Sequence, residues 1–151
     1  NRHYHQGMSS SIAAGISEVE GAYDHAMIFL ADMPCIPGDV IDRLLERHLT
    51  SGMSIGAIQS DERPSHPVIF SRELYRDLKG LTGDVGARSL LRKYSHAVCL
   101  LRPEGEYDSR DIDTPEDYAR FERTNVEHPT SNIESTRNPY RVSKRQPSNT
   151  E

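Results

Sequence analysis

Short apolar runs alternate regularly with amphipathic segments along this chain, and this alternation leaves few folds open to it. Four runs have the length of buried strands rather than of helices, and they occupy residues 26–31, 54–58, 67–70 and 97–101. Segments with apolar residues at helical spacing cover residues 8–19, 40–49, 71–74, 84–94 and a stretch that starts at Thr114. Strands that alternate with helices predict an α/β fold with a largely parallel sheet.

Polar residues at the front of these segments predict where the helices begin. Serines open the first helix, and Ser71 and Asp84 stand where caps of the third and fourth helices are expected. Thr114 is expected at the N-cap of the last helix, with Pro115 in its first turn and two acidic residues near the positive end of the helix dipole.

Charge and composition exclude several classes of function. The chain has 18 basic and 23 acidic residues and a net charge of −5, whereas a nucleic-acid-binding protein needs a basic face to neutralise phosphates. No apolar run approaches the roughly 18 to 20 residues of a membrane-spanning helix, so we expect no membrane partner. Cys35 and Cys99 match no metal or redox spacing. We therefore predict a reduced, cytoplasmic setting.

The composition changes near residue 124. Only four apolar residues occur from there to residue 151, and Ser, Thr, Asn, Pro and mixed charges make up the rest. Such a segment buries too little surface to offset its chain entropy. We therefore predict one domain over residues 1–123 and a disordered polar tail over 124–151.

Aspartates follow the first predicted strand and precede the last predicted helix. Asp32 comes directly after the run 26–31, and Asp111 and Asp113 lie just before Thr114. Ligands of open parallel sheets bind beyond the carboxyl ends of the strands, and carboxylates there can hold Mg²⁺ together with phosphate oxygens. The structural alternative, in which Asp32 ends a strand and Asp113 helps to cap a helix, has about equal weight.

Three further positions have both a ligand-binding and a structural interpretation. Ser9, Ser10 and Ser11 follow Gly7 at a helix start, which suits either a phosphate or ordinary capping. The segment 83–88 combines two glycines with Arg88, a cation for a phosphate or carboxylate or else a solvated helix residue. His66 precedes a proline and could contact a ligand or form a local hydrogen bond.

Taken together, five segments in this order resemble the MobA-like nucleotidyltransferases, and most closely their molybdenum cofactor cytidylyltransferase branch. The resemblance covers about residues 1–123. The segments are Gln6-Gly7-Met8-Ser9-Ser10-Ser11, Leu30-Ala31-Asp32-Met33-Pro34, His66-Pro67-Val68-Ile69-Phe70, Leu81-Thr82-Gly83-Asp84-Val85-Gly86-Ala87-Arg88 and Asp111-Ile112-Asp113-Thr114-Pro115-Glu116-Asp117-Tyr118.

The resemblance implies a Rossmann-like three-layer sandwich and transfer of CMP from CTP to molybdopterin with release of pyrophosphate. Asp32 aligns with the family aspartate that holds Mg²⁺ and is the expected catalytic residue, and Asp113, or its neighbour Asp111, aligns with a polar residue near the second substrate or metal. Ser9, Ser10 and Ser11 align with a loop lining the substrate cleft. His66, Gly83, Asp84 and Arg88 align with the acceptor side. A molybdoenzyme of the xanthine dehydrogenase type is a further partner that the resemblance implies.

The sequence also departs from the family pattern. The family's glycine-rich nucleotide loop, of the type Leu-Ala-Ala-Gly-x-Ser-x-Arg-Met-Gly, has no counterpart in these residues, so the chain corresponds to the carboxy-terminal portion of the nucleotidyltransferase domain. Two alternatives therefore stay open: a non-catalytic subunit that binds the molybdenum cofactor or serves as its chaperone, and a related nucleotidyltransferase that uses GTP or another phosphorylated acceptor.

Overall fold

A computed structural model describes residues 1–60, 62–84, 86–104 and 110–127, the last four by their backbone. The strands are β1 (His25–Ile28), β2 (Ile55–Ser60), β3 (Arg63–Ser71) and β4 (Val98–Leu101). The α-helices are α1 (Met8–Val19), α2 (Gly38–Ser51), α3 (Tyr75–Lys79), α4 (Arg88–Lys93) and α5 (Pro115–Glu127). Single 3₁₀ turns occupy Tyr4–Gln6, Arg72–Leu74 and Ser95–Ala97.

The four strands form one mixed sheet in the order β1-β3-β2-β4. Strand β3 is antiparallel to both of its neighbours, and β2 and β4 form the parallel pair. The prediction of a largely parallel sheet is therefore wrong in its pairing, although β1, β2 and β4 run in the same direction. The reason is local: residues 61 and 62 alone separate β2 from β3, and so short a connection can join only antiparallel strands.

Helices pack on both faces of this sheet, as the resemblance implies. Consecutive residues of β3 point to opposite faces: Val68 and Phe70 belong to one buried cluster and Ile69 to another. The first cluster includes residues of α1, α3 and α4, and the second includes Val40 and Leu44 of α2. The result is a mixed α/β fold with the sheet between two helical layers.

Helices occupy the expected regions, except that a 3₁₀ turn stands at Arg72–Leu74, where the spacing predicts a helix, and the α-helix begins at Tyr75. Several predicted caps are absent. The N-cap residue of α1 is Gly7, and that of α4 is Ala87, with no side-chain cap hydrogen bond in either case. Ser71 stands before a 3₁₀ turn and likewise makes no cap hydrogen bond. The serines, Ser71 and Asp84 therefore do not cap the helices that follow them.

The start of α5 matches the prediction. The hydroxyl of Thr114 accepts a hydrogen bond from the Asp117 N–H at 3.1 Å, and the Asp117 carboxylate accepts one from the Thr114 N–H at 3.1 Å, which is a reciprocal capping box. Helix α5 continues through Glu127, so the expected tail boundary at residue 124 lies inside a helix. Residues 128–151 lie outside the described residues. Among the helices described, none is long and apolar enough to span a membrane.

Candidate functional site

Asp32 lies in the turn that follows β1. The strand ends at Ile28, three residues earlier than the apolar run suggests, and the chain turns at residues 31–32. The side chain of Asp32 is exposed, and its backbone carbonyl accepts a hydrogen bond from the Ile112 N–H at 2.8 Å. This contact joins the turn after β1 to the segment that precedes α5, so the two segments that carry the candidate aspartates meet in space.

His66 reaches the same region because β3 contains a bulge. Opposite β2, Ala57 pairs with Val68 and Ile58 pairs with Ser65, so His66 and Pro67 have no partner in β2. The peptide bond between His66 and Pro67 is cis. Bulges of this kind redirect side chains and occur often beside active sites. The Nδ1 atom of half-buried His66 lies 3.4 Å from the Ile28 carbonyl oxygen, at the end of β1.

Three charged side chains, those of Arg88, Asp32 and Asp111, act on the imidazole of His66. Burial lowers the pKa of His66, and the positive charge of Arg88 lowers it further, while the Ile28 carbonyl and the charges of Asp32 and Asp111 act in the opposite direction. We infer a neutral ring at pH 7. Because a carbonyl can only accept, a hydrogen bond to Ile28 at this distance requires the proton on Nδ1 of His66. The site thus combines an imidazole, a guanidinium and two carboxylates.

The segment that contains Gly83 and Asp84 lies at the start of α1. The Gly83 carbonyl accepts hydrogen bonds from the N–H of Ser9 at 3.3 Å and from its hydroxyl at 2.6 Å. Asp84 Oδ1 accepts a hydrogen bond from the Met8 N–H at 3.1 Å. The predicted residues Ser9, Gly83 and Asp84 are therefore brought together, but they bind one another at the start of α1.

These contacts also occupy the amino-terminal end of α1. Besides the N–H groups of Met8 and Ser9, that of Ser10 donates to the Gly7 carbonyl at 3.1 Å, and the Asp84 carboxylate adds negative charge at this end. The helix start therefore offers no open row of N–H groups to a phosphate. Ser10 and the exposed Ser11 accept hydrogen bonds from the Asn1 amide and line the outer surface of this region.

The three aspartates predicted as metal ligands lie in different surroundings. Asp32 is exposed at the end of β1, and the charge of Asp111 acts on His66 beside it. Asp113 is exposed one residue before Thr114, at the start of α5. In the described ranges, no group of three or more His, Cys, Asp or Glu side chains has the geometry of a metal centre. A cation held here by one or two carboxylates would complete its coordination with water or with oxygens of a substrate.

A second polar site lies at the other end of the sheet, and the sequence pattern did not point to it. His48 of α2 is only 1% exposed, and its Nε2 lies 3.0 Å from Nδ1 of His25, the first residue of β1. Burial, aided by the charge of His25, lowers the pKa of His48 to about 4. One signal in the sequence could have located His48: Val40, Leu44 and His48 follow one another at a spacing of four residues on the buried face of α2.

Comparison with known proteins agrees with this architecture. Residues 1–98 match the family described as the MobA-like NTP transferase domain. The chain is 33% identical over 122 residues to the purine catabolism protein PucB of Bacillus subtilis, covering 78% of this chain and 57% of that protein. It is 29% identical over 127 residues to the nicotine blue oxidoreductase of Paenarthrobacter nicotinovorans, covering 80% of this chain and 62% of that protein.

A solved structure shares the fold. The crystal structure of Rv0371c from Mycobacterium tuberculosis in complex with manganese superposes with a TM-score of 0.61 at 25% identity, over 73% of this chain and 57% of that one. The mixed sheet with helices on both faces and the family match define a nucleotidyltransferase-like protein. The chain belongs to the MobA-like NTP transferase domain family. It spans about 60% of the length of the two curated relatives.

Proposed function

We propose that this chain forms part of a nucleotidyltransferase that transfers CMP from CTP to molybdopterin and releases pyrophosphate. Family membership implies a nucleotide substrate. The observation that best supports a site at the end of β1 is the hydrogen bond between Ile112 and Asp32. It brings the segment that contains Asp111 to the turn that contains Asp32, beside His66.

The donor set at this site is compatible with Mg²⁺. Asp32 provides an exposed carboxylate, and Asp111 adds a second negative charge nearby. Mg²⁺ is usually held by one or two carboxylates together with substrate phosphates and water, so the nucleotide would complete its coordination. In the proposed assignment Asp32 holds the ion, and Asp111 or Asp113 faces the second substrate. When bound, Mg²⁺ would neutralise charge on the phosphates.

The remaining residues would position the acceptor. An oxygen of the acceptor phosphate forms a bond to the α-phosphorus of CTP, and the bond from that phosphorus to the bridging oxygen breaks as pyrophosphate leaves. The attacking oxygen is already ionised, so no general base is required. Arg88 supplies a guanidinium suited to the acceptor phosphate, and the His66 side chain would lie beside the acceptor as a polar neighbour.

One observation favours a second candidate function. The N–H groups of Met8, Ser9 and Ser10 all have partners within the protein, so this helix start does not cradle a triphosphate. A subunit that binds the molybdenum cofactor without turning over a nucleotide would need no such cradle. A nucleotidyltransferase that uses GTP or another phosphorylated acceptor is the remaining alternative.

Thermal melts of the chain with Mg²⁺ and, in turn, CTP, GTP and ATP test the proposal. A ligand that binds only the folded state raises its stability by about 2.7 kcal/mol at a concentration of 100 Kd. We expect a CTP-selective, Mg²⁺-dependent rise that Asp32→Ala abolishes. Asp39→Ala, which removes an exposed carboxylate in the first turn of α2, should leave the rise intact. Equal rises in both variants would refute the role of Asp32, and no rise with any nucleotide would favour the binding subunit.

A further inference from the structure

The polar pocket around His25 and His48 lies at the opposite end of the sheet from Asp32. His25 begins β1 and pairs with Ser71, the last residue of antiparallel β3. The pocket has a volume of about 380 Å³, and its lining includes Asp24, Ser54 and Glu73 besides the two histidines and Ser71. None of these residues has a part in the proposed nucleotidyl transfer, so a function of this pocket would be independent of that reaction.

Three atoms that could bind a metal ion lie close together in this pocket. Nδ1 of His25 and Nε2 of His48 are 3.0 Å apart, and the Ser71 hydroxyl oxygen lies 3.5 Å from the first and 3.4 Å from the second. Ligands held at 2.0–2.1 Å around a tetrahedral Zn²⁺ are about 3.4 Å from one another. The three atoms therefore nearly form one face of such a tetrahedron.

We propose that His25, His48 and Ser71 form a binding site for one divalent transition-metal ion of the zinc type, with water as the fourth ligand. Two imidazole nitrogens suit Zn²⁺, Ni²⁺ or Cu²⁺, whereas Mg²⁺ and Ca²⁺ prefer sites made of oxygen. The pocket opens to solvent because His25 is exposed, which gives the ion a path of entry. Arg72, which also lines the pocket, pairs with Asp24 and offsets its charge, so the Glu73 carboxylate, which accepts a hydrogen bond from Ser54, leaves a net negative charge beside the ligands.

The surrounding structure holds the ring of His48 in place, whereas the ring of His25 has room to move. The ring of His48 packs directly on Gly56, where an added Cβ would lie 2.9 Å from the His48 Cβ and 3.1 Å from its Nδ1. This close contact holds the ring in one orientation, as a preorganised ligand requires. His25 is exposed at a strand end, so its ring can make the small shift that brings both nitrogens onto one ion.

One feature sets the expected strength of binding. When Nε2 of His48 binds a metal, its proton must lie on Nδ1, which is buried and has no hydrogen-bond partner in the part of the chain that the structure describes. Metal-binding histidines normally donate this second N–H, so the unpaired donor weakens the site. We therefore expect micromolar rather than nanomolar affinity.

Calorimetric titration of the full chain with ZnCl₂ at neutral pH tests the proposal. We expect one ion per chain, a raised melting temperature, and binding weakened at least about tenfold in His25→Ala. His25→Asn, which keeps a polar residue at the strand end, is the second variant if His25→Ala melts abnormally. Titration with Mg²⁺ should give no comparable heat.

Matched variants separate this pocket from other places where zinc could bind. His3 and His5 lie near each other at the amino terminus, with ring centroids 6.3 Å apart, so the double variant His3→Ala/His5→Ala should keep the binding. Asp32→Ala, at the candidate nucleotide site, should keep it as well. The proposal is overturned if the His25 variants bind zinc as tightly as the unaltered chain, or if either control variant abolishes binding.

Discussion

The carboxylate of Asp84 accepts a hydrogen bond from the backbone N–H of Met8 at 3.1 Å, across 76 residues of sequence. This long-range contact does for α1 what a local N-cap residue does for most helices. It also places a negative charge at the positive end of the helix dipole. The segment before α4 is thereby tied to α1, which gives Asp84 a structural role at this position.

Asp84→Ala should destabilise the chain by about 1 kcal/mol, because the Met8 N–H loses its partner and the helix dipole loses its charge. Urea denaturation should show a lower midpoint with an unchanged slope. Asp39→Ala is the matched control, since Asp39 lies in the first turn of α2, and it should cost only a few tenths of a kcal/mol. Equal losses in the two variants would contradict the capping role of Asp84.

Gly7→Ala should cost at least about 2 kcal/mol, because two unfavourable effects coincide. The φ angle of Gly7 is +98°, and an added Cβ would lie 2.7 Å from the Gly83 carbonyl oxygen. Gly15→Ala is the control: Gly15 lies inside α1 with nothing within 4 Å of its would-be Cβ, so alanine should stabilise the chain by about 0.5–1 kcal/mol. Thermal or urea unfolding measures the stability of both variants. A Gly7→Ala variant as stable as the unaltered chain would refute the close approach of Gly7 to Gly83.

Asp77 should make stability depend on pH at the acid end. Hydrogen bonds from the Tyr94 hydroxyl at 2.9 Å and from Lys93 at 3.2 Å lower the pKa of Asp77 below its usual 3.8. A carboxyl group with a lowered pKa in the folded state stabilises the fold above the unfolded-state pKa. This contribution is lost as the pH falls from about 3.8 through the folded-state pKa.

Asp77→Asn should therefore lower stability at pH 7 and flatten the loss of stability below pH 4. Denaturant melts from pH 7 to pH 2 measure both effects. Asp42→Asn, which removes an exposed carboxylate from α2, is the control for a general change in charge. If stability falls equally below pH 4 in Asp77→Asn and in the unaltered chain, Asp77 contributes nothing to the pH dependence.

Part of the candidate site could be predicted from the sequence alone. The apolar run 26–31 places Asp32 at the carboxyl end of a strand, and the structure agrees to within three residues. By contrast, the meeting of Asp32 with the segment around Asp111 depends on the backbone contact of Ile112. The position of His66 depends on a bulge in a strand whose first four residues carry no apolar run. Neither arrangement has a local signal, because each joins segments that are distant along the chain.

The sequence by itself determined those features that depend on residues close together along the chain. Helical periodicity located α1 and α2, apolar runs located the strands, and Thr114, Pro115 and the two acidic residues after them marked the start of α5, because these signals act over one or two turns. The tertiary structure decided the pairing of β3 with β1, the use of Asp84 as the cap of α1 and the contact of His25 with His48. Each of these is a choice among partners remote in sequence, and only simultaneous packing of the sheet and both helical layers selects among them.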